Sequence, residues 1–221
     1  MIKEFIQLIY PDYCSGCSSQ LQFSEKGICS SCLVEVRNYS YIASSPTFGR
    51  NIVNKEIYVF KNFKNPLLQR MIYEIKYNGN KSTAYVLGVE LGYLIKKYCK
   101  PLDFDIIVPV PVSKLKKRQR GFNQCQLIAE GISKVIKTPV HSNYLIRNNN
   151  MNSQVKSSRY KRWLNVDNQY QLTKKIDYDI KILLIDDVVT TGATINSCLN
   201  TIQNGNKFSV TVAALSGHKF T

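Results

Sequence analysis

The sequence predicts an α/β domain built on a parallel sheet, with a small four-cysteine unit ahead of it. Three observations carry this. Near the C-terminus, KILLID, TGATINSCLNTIQNG and KFSVTVAALS read as strand, helix and strand with short connections, which implies a parallel, right-handed crossover. DIIVPVPVS supplies another apolar strand upstream. Four of the seven cysteines fall within the first 32 residues, as two Cys-x2-Cys pairs. The 221 residues suffice for one domain of ordinary size plus an appendage, divided as 1–40 and 41–221.

Each element follows from local chemistry. Ile2, Phe5, Ile6 and Ile9 recur at helical spacing, and Pro11 stops that helix. EIYVF reads as a short strand. Asn65 serves as N-cap and Pro66 as first helical residue, while Leu68, Met71, Ile72 and Ile75 make one apolar face and Gly79 closes the helix. A second helix covers about 83–98, with Leu87, Leu91, Leu94, Ile95 and Tyr98 mostly on one side. Pro109 and Pro111 cannot donate to a ladder, so the strand from Asp105 is expected to end near Val108 and become a shaped loop. A helix is expected from Gly121. Residues 138–180 are polar and uneven. Cys99, Cys125 and Cys198 lie in helical patterns and read as small core residues.

Composition limits the function classes. No apolar run approaches a membrane span, and the N-terminus, carrying Glu4, does not resemble a signal peptide, so a cytoplasmic location is expected. Thirty Lys+Arg against fifteen Asp+Glu give a formal charge of +15, which favours polyanionic partners: nucleic acid, nucleotides or phosphorylated metabolites. Cys14, Cys17, Cys29 and Cys32 have the spacing of two metal knuckles. Four thiolates complete a tetrahedron and leave no position for water, so the metal is structural and zinc fits best. An iron–sulfur cluster or a redox pair are the rivals. His141 and His218 are isolated, and neither is given a role.

ILLIDDVVTTGATINSC, Ile182 to Cys198, carries the strongest functional signal. Ligands of open α/β sheets collect beyond the carboxyl ends of strands. The strand Ile182–Ile185 places Asp186 and Asp187 at that edge, and Thr190, Thr191, Gly192, Ala193 and Thr194 open a helix. Its first amides lack intrahelical partners and carry the positive end of the dipole, so the turn can cradle a phosphate. Carboxylates accept from sugar hydroxyls. Together these residues ask for a phosphorylated sugar, whereas the plain alternative is a strand–turn–helix with a capping aspartate.

The stretch closely resembles the ribose-5-phosphate loop of type I phosphoribosyltransferases, which bind phosphoribosyl pyrophosphate (PRPP). That resemblance implies that Asp186 and Asp187 contact the ribose 2′- and 3′-hydroxyls. It implies a PRPP-binding loop running from Asp186 through Val188 and Val189 to Thr194, with Thr190 to Thr194 on the 5′-phosphate. The four cysteines, YEIKYNG (Tyr73–Gly79), VPVP (Val108–Pro111), RGFNQ (Arg120–Gln124) and DDVVTTGAT together look like the ComF family over nearly the full length. Gln154, Arg162, Asn165 and Tyr170 fit a further spacing of that family, with Ser157 where a leucine is usual. Membership implies a phosphoribosyltransferase-like domain behind a zinc-ribbon-like finger, and a role in DNA uptake by naturally transformable bacteria.

Two basic segments bear on ligands. Lys114, Lys116, Lys117, Arg118 and Arg120 follow the VPVP loop, where the resemblance puts pyrophosphate and makes Arg118 and Arg120 its candidate partners. Lys156, Arg159, Lys161 and Arg162 stand beside Tyr160 and Trp163. Charge interleaved with rings suits single-stranded nucleic acid, for which Lys114, Lys116 and Lys117 are candidates as well. Three functions follow. One is a PRPP-binding protein contacting single-stranded DNA and a helicase-like translocase. The second is a working transferase that displaces pyrophosphate with Mg²⁺, Asp186 and Asp187 being its catalytic candidates and a loop bearing Lys76, Gly79 and Asn80 helping to cover the site. The third is a zinc-ribbon interaction module on an inactive fold.

Overall fold

The computed structural model describes residues 10–38, 41–44, 47–48, 51–53, 55–60, 65–148, 169–174, 180–203 and 208–217. The helix expected over residues 2–9 lies outside them. The cysteine unit ends in α1 (Ser30–Asn38). Four strands follow: β1 (Tyr41–Ser44), β2 (Thr47–Phe48), β3 (Asn51–Ile52) and β4 (Lys55–Phe60). Then come α2 (Pro66–Tyr77), α3 (Lys81–Tyr98), β5 (Ile106–Pro109), α4 (Lys114–Arg120) and α5 (Gln124–Ile136). A small antiparallel pair, β6 (Leu145–Arg147) with β7 (Tyr170–Leu172), precedes β8 (Lys181–Val189), α6 (Ala193–Gln203) and β9 (Ser209–Gly217).

The main sheet has the order β1-β4-β9-β8-β5. Its pairs β4–β9, β9–β8 and β8–β5 are parallel, as the strand–helix–strand pattern predicts, and β1 joins β4 antiparallel at one edge. The apolar run ILLI is buried on both faces. Leu183 and Ile185 enter a core with α2, α3, α5 and the cysteine unit, whereas Ile182 and Leu184 enter one with α6. This is the period-two alternation of a strand covered on both sides.

The helical layer owes its tightness to two glycines. A Cβ on Gly88 of α3 would lie 2.3 Å from the Ile128 carbonyl oxygen, and one on Gly131 of α5 would lie 2.3 Å from that of Tyr85. The two backbones therefore touch directly, and a side chain at either point would force them apart. The α2 start is as expected: Asn65 accepts from the Leu68 amide, Pro66 follows, and Asn78 caps the end ahead of left-handed Gly79.

Three expectations need correction. β5 runs through Pro109 instead of ending at Val108. It is an edge strand, where a missing N–H is tolerated, and the Val110 amide resumes the ladder at 2.8 Å from the Ile185 oxygen. The helix expected from Gly121 starts at Gln124 with Asn123 as cap, while Gly121, in left-handed conformation, closes the separate helix α4. β8 does not stop at Ile185: Asp186, Val188 and Val189 still pair with Ala214, Ser216 and Gly217, because β9 continues past the end of β5. No helix among the described residues is long and apolar enough to cross a membrane.

Candidate functional site

The acid pair sits in the last half of β8, one strand position beyond the Pro109–Ile185 pairing, and both residues are buried. Asp186 Oδ1 accepts from the Asp187 amide at 2.8 Å and from the Cys125 thiol at 3.6 Å. Burial, and then the Asp187 charge, push the Asp186 carboxyl up to about 7. Burial and both carboxylates likewise raise the Cys125 thiol and keep it protonated. Asp187 Oδ1 accepts from the Val188 amide at 2.7 Å. Its Oδ2 takes two donors, the Lys76 ammonium at 2.8 Å and the Gln124 side-chain amide at 2.9 Å.

Thr190 to Gly192 form the turn that leaves the strand, and α6 begins at Ala193 instead of being opened by the threonines themselves. Gly192 has φ +69°, which only glycine adopts without strain. The Thr191 hydroxyl accepts from the Ala193 amide at 3.4 Å, and Thr190, Thr191, Ala193 and Thr194 are exposed. The turn thus presents hydroxyls and the start of an eleven-residue helix to solvent beside two buried acids.

Elements far apart in the chain converge here. Lys76 comes from the last turn of α2, where a loop was expected. Asn123 donates to the Val110 oxygen at 3.1 Å, tying RGFNQ to VPVP, and Gln124 is the first residue of α5. Sequence reasoning named neither Gln124 nor Cys125 as part of the site. RGFNQ held the signal, but its link to Asp187 spans 63 residues. Asn80 goes elsewhere: it caps α3 through the Thr83 amide and donates to the Ser15 hydroxyl in the cysteine unit. Gly79 meets nothing within 4 Å of where a Cβ would stand.

Lys114, Lys116, Lys117, Arg118 and Arg120 form α4, which buries no residue and leaves β5 at the same sheet edge as the acid pair. Lys156, Arg159, Lys161, Arg162 and Trp163 lie outside the described residues, as do Gln154, Ser157, Tyr160 and Asn165. On α2, Tyr73 and Tyr77 are exposed with ring centroids 5.0 Å apart.

The four sulfurs of Cys14, Cys17, Cys29 and Cys32 lie within 4.8 Å of one another and could hold one metal ion. A tetrahedral thiolate centre needs sulfur separations of about 3.8 Å, so the set fits with small adjustment. Cys14 Sγ also accepts from the amides of Gly16 and Cys29 at 3.3 and 3.2 Å. The unit is clamped to α2 and α3. Ser15 Oγ lies 2.6 Å from Thr83 Oγ1, Arg70 donates to the Gly16 oxygen at 2.9 Å, and Arg37 grips buried Glu90 with two bonds of 2.8 Å.

Comparison with known proteins adds the following. The chain is 22% identical over 200 residues to Competence protein F of Haemophilus influenzae, covering 83% of this chain and 87% of that protein. It is 28% identical over 143 residues to Competence protein ComFC of Bacillus subtilis, covering 65% of this chain and 55% of that protein. It is 26% identical over 203 residues to DNA utilization protein YhgH of Salmonella typhimurium, covering 85% and 89%. These curated relatives bear out the resemblance to the ComF family. Similar solved structures include a glutamine phosphoribosylpyrophosphate amidotransferase from B. subtilis, at TM-score 0.40 and 15% identity over 60% of this chain and 27% of that one. Another is the adenine phosphoribosyltransferase of Trypanosoma brucei, at TM-score 0.39 and 14% identity over 85% and 68%. No protein-family model matches the chain.

Proposed function

We propose that the chain binds PRPP or a related phosphoribosyl ligand at the Asp186–Thr194 loop and serves DNA uptake in the cytoplasm, with structural zinc on Cys14, Cys17, Cys29 and Cys32. The carrying observation is the buried acid pair at the carboxyl edge of β8, next to an exposed hydroxyl-bearing turn at the start of α6. Acids suit sugar hydroxyls, and helix amides with threonine hydroxyls suit phosphate. Mg²⁺ travels with PRPP on the ligand's own oxygens. Arg118 and Arg120 are the pyrophosphate candidates, since α4 leaves the same sheet edge.

Contact with single-stranded DNA is supported by the relatives' competence and DNA-utilization names and by the charge of +15. The exposed face of α4 and the Tyr73–Tyr77 pair offer cations and ring faces for phosphates and bases. A helicase-like translocase is the protein partner in this reading. Calorimetry with PRPP and Mg²⁺ tests the ligand: saturable binding, weakened at least about tenfold in Asp187→Asn, is expected. Absence of heat up to millimolar PRPP overturns the reading. Transfer is the alternative activity, and pyrophosphate release with a panel of acceptors separates it from binding.

A further inference from the structure

Gln124 is 4% exposed, and only half of its carboxamide is used. Nε2 donates to Asp187 Oδ2 at 2.9 Å. That bond fixes the amide's orientation, because a flipped group would set oxygen against a carboxylate. Oε1 is left with no hydrogen-bond donor among the described residues. A buried acceptor without a donor costs folding stability that a methionine of similar shape would not. The cost is recovered if a ligand supplies the donor.

We propose that Gln124 is a specificity-determining residue of the ribosyl site: its Oε1 accepts a hydrogen bond from one sugar hydroxyl, beside the hydroxyl taken by Asp187. This rests on the phosphoribosyl reading above and adds a third acceptor to the acid pair. One rearrangement is required. Lys76 now donates to the same Asp187 oxygen as Gln124, and its side chain is 22% exposed at the end of a flexible four-carbon stem. When it swings out, an incoming hydroxyl replaces it as donor to Asp187, the carboxylate that also holds the Gln124 amide. The released ammonium then has the ligand's phosphates to neutralise. With Asp186, Asp187 and Gln124 Oε1 all accepting, the site favours adjacent free hydroxyls. A DNA strand lacks the 2′-hydroxyl and has its 3′-oxygen esterified, so DNA is not the occupant of this site.

The test is calorimetry of the full chain with ribose 5-phosphate and with its 2-deoxy and 3-deoxy analogues, for wild type, Gln124→Met and Gln124→Asn. Wild type should prefer ribose 5-phosphate by about tenfold or more over each analogue. In Gln124→Met, preference over one analogue should fall to about twofold while preference over the other persists. Gln124→Asn, whose shorter amide withdraws the oxygen, should lose the same preference. Thermal melting checks that both variants fold. Equal weakening towards all three sugars would mark a structural role and overturn the inference, as would full discrimination in folded Gln124→Met. A wild-type ratio near one overturns it without any variant. Each of these results, with ribose 5-phosphate still bound, leaves the phosphoribosyl reading standing; absence of binding to these sugars and to PRPP alike removes both.

Discussion

Burial, and then the neighbouring Asp187 charge, push the Asp186 carboxyl up to about 7. Its ordinary value is near 4. Between these values the folded chain keeps a proton that the unfolded chain has lost, so this residue's contribution to stability falls as pH rises through that window. Asp186→Asn should therefore stabilise the chain more at about pH 7.5 than at about pH 5. Melting temperatures of both proteins at both pH values check this, and an equal increment at each would contradict it. Asp187 differs in its partners: Lys76 and Gln124 both donate to one of its oxygens, which a sugar hydroxyl in the proposal above would have to share or take over.

At the scale of elements, the α3–α5 crossing decides where Gln124 and Asn123 can stand. Gly88→Ala would place a methyl against the backbone of Ile128, not against a side chain that could turn aside. It should cost about 1–3 kcal/mol or more, measured by denaturant unfolding, and a neutral outcome would mean that the helices separate freely. The same scale explains what could be read in advance. The acid pair, its turn, the cysteine knuckles and the α2 cap are each written within a few consecutive residues, so their chemistry was legible. β8 was read four residues short because Asp186 and Asp187 look like the end of a strand, and only β9's length keeps them in the sheet. The Gln124–Asp187 and Lys76–Asp187 contacts were not legible because register and helix packing create them. RGFNQ was visible as a motif, but the carboxylate its glutamine would face was not.

For the whole molecule, the cysteine unit shares one apolar cluster with the α/β sheet: Leu21, Ile28 and Val36 pack in the same core as Leu68, Met71 and Leu87. Chelating the metal proposed for the four cysteines, or replacing Cys32 by serine, should therefore lower the melting temperature of a single transition. A separate early melt of the first 40 residues would contradict that coupling. Affinity for single-stranded DNA should fall steeply between about 50 and 200 mM salt, because phosphate contacts release counterions. A flat salt response in filter binding or anisotropy would show that the basic surface does not make them. The clamp of Ser15, Arg70 and Thr83 has one more consequence. Its Arg70–Gly16 bond holds the cysteine unit against α2, whose last turn bears Lys76, the cation that a sugar displaces in the proposal above. Whatever factor metal loading adds to or subtracts from sugar affinity, the bound sugar must return to metal affinity. Titrating the metal with and without sugar phosphate therefore measures, from either end, how much free energy this one helix carries between the two sites.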